Sequence, residues 1–175
     1  MRLDDLTGGR VYIDTNVLYM YLRADTAHLL TIRSFLERVI QGEIEAFVGV
    51  PVLDELAYRL LLARVKEKSG RNPLEVLREN LAGAIQDHSD LISSAIRQFM
   101  SLPHISVVGV EASDADLMFD NMTLHKLLPR DALHMAIMQR LEIGMIASDD
   151  ADFDRIAGLQ RFWVVNPPAR TVILD

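Results

Sequence analysis

A chain of 175 residues, half of them hydrophobic, has room for one domain with a sizeable core and is too apolar to be a disordered segment. Cysteine is absent, which excludes disulfides, a thiolate zinc site and a cysteine nucleophile and is compatible with a reducing cytoplasm. The net charge of −7 argues against a general nucleic-acid coating protein, which needs a basic footprint, but leaves open an enzyme whose carboxylates hold a metal ion.

The first nine residues carry Asp4 and Asp5 without an apolar h-region, so no signal peptide is expected. No apolar run approaches the ~20 residues of a membrane span, and a soluble, cytoplasmic protein is expected. Residues 10–13 read as a short buried strand and 16–22 as a helix. Residues 26–41 place Leu29, Ile32, Leu36, Val39 and Ile40 at helical period, ended by Gly42. A second strand is predicted at 44–49. Pro51 then opens a helix over 52–68, proline being favoured at a first helical position.

The Ser69-Gly70-Arg71-Asn72-Pro73 stretch breaks that helix, and two more are predicted at 74–83 and 89–100. Strand 105–110 follows, then helices 111–126 and 129–143 with Gly144 as C-cap. Strands at 145–148 and 161–165 complete the order. Strands alternating with helices pair in parallel through right-handed crossovers, and their continuous apolar character fits a sheet covered on both faces. The expectation is a three-layer α/β/α fold, 1–175 as one domain, with an extra helical segment around 74–100.

Four acids stand where such a sheet places its ligands. Asp14 follows the first strand and opens Asp14-Thr15-Asn16; taken alone it reads as a helix cap. Glu55 borders the apolar stripe of its helix and alone reads as an exposed partner of Arg59, with Asp54 as a rival. Asp131, in Pro129-Arg130-Asp131-Ala132-Leu133-His134-Met135-Ala136, alone reads as dipole compensation; His134, one turn on, reads either as orienting Asp131 or as a satisfied packing residue, with packing favoured. Ser148-Asp149-Asp150-Ala151-Asp152-Phe153 packs three carboxylates into one turn, a density that capping explains poorly. Phe153 would anchor this turn, and Met135, Met138 and Met145 read as core filler.

In this order the segments resemble the PIN-domain family of metal-dependent ribonucleases, over about residues 10 to 165. The resemblance rests on Asp14-Thr15-Asn16-Val17-Leu18, Glu55-Leu56, the Arg130–Ala136 stretch, and the Ser148–Phe153 turn, which is similar to the family's Thr/Ser-x-Asp-x-Asp-Phe. It implies metal coordination by Asp14, Asp131 and Asp150, with Glu55 as ligand or support, Asp152 as a supporting ligand, and Asn16 and Ser148 holding the cluster by hydrogen bonds. One residue of register separates Asp149 from Asp150, and Asp150 leaves Ser148, Asp152 and Phe153 in family spacing.

Oxygen ligands select Mg²⁺ or Mn²⁺, which would activate water for hydrolysis of an RNA phosphodiester; one ion or two stays open. Arg59, Arg64, Lys66 and Arg130, with Lys68 and Arg71 beyond, are phosphate-contact candidates, against an equal reading as a solvated face. The short layout resembles the toxins of toxin–antitoxin pairs (the VapC-like group), which implies a small antitoxin partner and a homodimer. The alternatives are a catalytically silent PIN-like binding module, a housekeeping RNA-processing nuclease, and a phosphohydrolase of the haloacid dehalogenase type. Asn16 counts against the last, because that type needs Asp-x-Asp after its first strand.

Overall fold

The structure, a computed structural model, describes residues 1–164. Five strands form a wholly parallel sheet in the order β3-β2-β1-β4-β5: β1 Gly9–Ile13, β2 Ile44–Gly49, β3 Ile105–Val108, β4 Met145–Ala147 and β5 Gln160–Phe162. The central strand is β1, and its Val11, Tyr12 and Ile13 are fully buried, as a strand covered on both faces requires. The connecting helices are α1 Thr15–Leu22, α2 Leu29–Ile40, α3 Val50–Ser69, α4 Pro73–Glu79, α5 Leu81–Met100, α6 Ser113–His125 and α7 Pro129–Arg140. The expected α/β/α architecture is therefore present, and one hydrophobic cluster joins its layers from Leu3 to Val164.

Several boundaries fall elsewhere than the sequence predicts, for local reasons. Helix α2 starts at Leu29 and not at residue 26, because the Asp25 carboxylate accepts from the Ala27 and His28 amides and winds that stretch into a turn. The break in the 74–100 segment comes at Asn80, not after Gly83. Asn80 leaves helical geometry (φ −150°, ψ 72°) and its side chain accepts from Gly83 N–H at 3.0 Å, so α5 runs unbroken for 20 residues.

Helix α7 ends at Arg140, and Gly144 is not its cap. Glu142 takes the left-handed conformation (φ 55°) while Ile143 N–H bonds to Met138 C=O and Glu142 N–H to Gln139 C=O. That is the Schellman pattern, and it seats Ile143 in the core. The strand predicted at 105–110 stops at Val108, and that at 145–148 stops at Ala147. The last predicted strand starts one residue early, at Gln160, and Val165 lies outside the described residues. No helix among the described residues is long and apolar enough to cross a membrane.

Two packing features fix the functional end of the sheet. Phe153 is buried to 1% exposure and anchors the 3-10 turn Ala151–Arg155 that follows β4, a burial that contributes about 2–3 kcal/mol. Val52, Leu56 and Leu60 bury one stripe of α3, which leaves Glu55 half-buried at its border. Met135 and Met138 are buried in the core as filler, with Met145 packed partly against it.

Candidate active site

The C-terminal ends of β1 and β4 are adjacent, joined where Asp14 N–H donates to Ala147 C=O. Asp14 caps α1 by accepting from Thr15 N–H at 2.7 Å, and its second oxygen accepts from the Ser148 hydroxyl at 2.6 Å. It is thus a cap as well as a buried strand-end carboxylate. Burial pushes the Asp14 carboxyl up to about 6; the bonds from Ser148 and Thr15 oppose the rise, and the charges of Asp149 and Glu55 add to it.

Ser148 is the hub of the last turn. Its hydroxyl donates to Asp14 and accepts from Asp150 N–H at 3.0 Å, and its carbonyl accepts from Arg161. Asp150 caps the 3-10 turn by accepting from Asp152 N–H at 2.8 Å. Asp149 instead accepts from the Asn16 side chain, so the two neighbouring carboxylates have different partners. Burial, with the Asp150 charge, raises the Asp149 carboxyl, and the Asn16 bond opposes it. Asp152, proposed from resemblance as a supporting ligand, pairs with Arg155 at 2.5 Å.

Glu55 reaches the same end of the sheet from α3. It accepts from the Thr15 hydroxyl at 3.2 Å and pairs with Arg130 at 3.3 Å and with Arg59 at 3.8 Å. Asp131 lies in the first turn of α7, half-buried. Burial pushes its carboxyl up to about 6, helped by the charges of Asp150, Asp152 and Glu55 and opposed by Arg130. Asp14, Glu55, Asp131, Asp149 and Asp150 therefore share one electrostatic neighbourhood.

No group of three or more histidine or acidic side chains among the described residues is already gathered at metal-binding distance. Glu55 is paired with Arg130 and Asp149 is held by Asn16, while like charge from neighbouring carboxylates acts on Asp14 and Asp131. The donor chemistry suits a hard divalent cation even so: oxygen atoms only, two carboxyls raised by burial and like charge, and hydroxyl and amide groups behind them.

Of the cationic candidates, Arg59 and Arg130 border the acids. Arg59 also donates to Asn16 and stacks over Tyr19 with its guanidinium carbon 4.4 Å from the ring centre. Arg64 and Lys66 lie further along α3, where Arg64 pairs with Glu67 and Lys66 caps the helix end at Gly70 C=O. Lys68 and Arg71 are engaged by Asp87 and Glu79. Sequence reasoning missed the Thr15 link to Glu55 and the packing of Tyr12 against His134. A hydroxyl directly after a strand-end aspartate was the available signal for the first.

The chain belongs to the PIN-domain family, whose model matches residues 11–159. It is similar to Ribonuclease VapC13 of Mycobacterium tuberculosis, 24% identical over 151 residues that cover 86% of this chain and 98% of that protein. Its fold is similar to that of the sarcin-ricin loop cleaving toxin VapC20 of Mycobacterium tuberculosis (TM-score 0.55, 17% identity, 90% of this chain and 99% of that one). It is also similar to a chain of VapBC2 from Rickettsia felis, solved on a DNA fragment from its promoter (TM-score 0.56, 12% identity, 88% and 98%).

Proposed function

We propose that this protein is a metal-dependent endoribonuclease of the VapC type, the toxin of a toxin–antitoxin pair. The observation that carries the reading is that Asp14, Glu55, Asp131 and Asp150 act on one another electrostatically near the ends of β1 and β4, with the Asp14 and Asp131 carboxyls raised to about 6, in a PIN-domain chain. Mg²⁺ or Mn²⁺ would be held by Asp14, Asp131 and Asp150, with Glu55 and Asp152 in support. A bound ion would supply charge neutralisation and lower the pKa of a coordinated water toward neutral pH.

The chain's own residues do the rest. Ser148 and Thr15 N–H fix both oxygens of Asp14, and Asn16 fixes Asp149. Arg59 and Arg130, which pair with Glu55, would exchange that partner for an RNA phosphate. No histidine or lysine is required as nucleophile, and His134 is buried and neutral.

Support for an antitoxin partner comes from the similarity to a chain of the VapBC2 assembly and to FitAB bound to IR36 DNA (TM-score 0.52). A homodimer is the further assembly that the resemblance implies. Incubating the purified chain with structured ribosomal RNA fragments, with Mg²⁺ or with EDTA, tests the reading. Endonucleolytic products that appear only with the metal are expected; RNA left intact under both conditions contradicts it.

A further inference from the structure

Tyr12 and His134 form a buried polar pair behind the carboxylates, apart from the groups described above. Tyr12 is fully buried two residues before Asp14. Its hydroxyl is 3.0 Å from His134 Nδ1, and the two rings pack with centroids 5.7 Å apart. His134 lies one turn after Asp131 on α7 and is 1% exposed. The third wall is Gly49, where β2 turns into α3. A Cβ there would stand 2.1 Å from the Tyr12 hydroxyl, so only glycine lets the start of α3 approach this closely.

The pair thus touches the three elements that carry Asp14, Glu55 and Asp131. Polar groups in such a place are unfavourable: both lose water, and His134 Nε2 has no hydrogen-bond partner. Two apolar side chains would fill the same space without that penalty, but their contacts are not directional. A hydroxyl–imidazole bond fixes both the rotation and the register of α7 against β1.

We propose that Tyr12 and His134, closed against Gly49, are positioning residues that set the placement of β1, α3 and α7 and hence the separation of Asp14, Glu55 and Asp131. The pair touches no substrate. It acts through the backbone elements on which the carboxylates are mounted, where small displacements weigh heavily on catalysis.

The proposal rests on the ribonuclease reading, so its test joins a geometric readout to a chemical one. In carbonyl-detected NMR of the whole chain, Tyr12→Phe shifts the side-chain carboxyl resonances of Asp14, Glu55 and Asp131. His134→Leu breaks the same bond from the other side and shifts the same resonances. His134→Asn, whose side-chain amide offers a donor or an acceptor near the place of Nδ1, leaves them close to wild type. Val39→Ala, a buried truncation on α2, leaves them in place.

In RNA cleavage at saturating Mg²⁺, Tyr12→Phe lowers kcat about tenfold or more while KM stays within about twofold, and His134→Asn retains most of the rate. Unmoved carboxyl resonances in folded Tyr12→Phe or His134→Leu overturn the positioning role, and so does an equal loss of kcat in Val39→Ala. If the resonances move but the wild-type protein cleaves no RNA, the positioning role stands and the ribonuclease reading fails.

Discussion

The acids along α3, α4 and α5 and the acids at the strand ends are the same side chains in opposite surroundings. Arg23, with Arg64 beside it, holds the Glu67 carboxyl below its usual range; Arg71 does so for Glu79 and Lys68 for Asp87, all on exposed surface. Beside the strand ends, burial and neighbouring carboxylates push Asp14, which follows β1, and Asp131, in the first turn of α7, up to about 6. A net charge of −7 therefore does not locate a site. What distinguishes this group is burial and like charge strong enough to raise Asp14 and Asp131 although Arg59, Arg130 and Arg155 lie beside their neighbours, a field that suits an external cation.

The largest effect that sharpens this contrast is on catalysis. Asp131→Asn is expected to lower metal-dependent RNA cleavage about a thousandfold with the fold intact by circular dichroism, whereas Glu79→Gln leaves the rate unchanged. Equal losses in the two variants would erase the distinction between the regions.

Stability should respond with the opposite sign. Asp14 and Asp131 are raised in the fold, so their contribution to stability is complete below about pH 4 and is lost as pH rises through about 6. Asp150→Asn removes one of the repelling charges while asparagine still caps the 3-10 turn. Its metal-free melting temperature should rise by several degrees at pH 7.5 and hardly change at pH 4. A lower melting temperature at pH 7.5 would mean that the carboxylates do not repel at close range.

A smaller effect separates the arginines. Arg59→Ala and Arg130→Ala should each weaken RNA binding and reduce the salt dependence of log K by about one phosphate contact, while Arg64→Ala and Lys66→Ala leave it unchanged. An equal effect of all four would restore the whole basic run as the phosphate track. The smallest effect lies in the appended helices. Asn80→Ala removes the cap of α5 and should cost about 0.5–2 kcal/mol in denaturant unfolding without touching cleavage.

The alternation of elements was readable from the chain because it rests on local pattern, apolar strands and helical periods, and the acids could be marked as candidates because Asp14 and Asp150 follow strands while Glu55 and Asp131 lie near the starts of helices. The misplaced helix boundaries were each set by a single residue. At Asp25 and Asn80 a side chain replaces a backbone partner, and at Glu142 a non-glycine residue takes the left-handed cap; periodicity sees none of these. The partners of the site residues were out of reach for another reason. That Asn16 holds Asp149, that Thr15 joins Glu55 across 40 positions, and that Tyr12 meets His134 across 122 are facts of tertiary contact.

Calorimetric titration of the metal-free protein with Mn²⁺ at pH 7.5 measures directly whether the carboxylates beside β1 and β4 form a metal cradle. Saturable binding is predicted for the wild type, weakened at pH 5 where Asp14 and Asp131 are largely protonated, and abolished in Asp14→Asn. No binding by the wild type, or equal binding by Asp14→Asn, would contradict it.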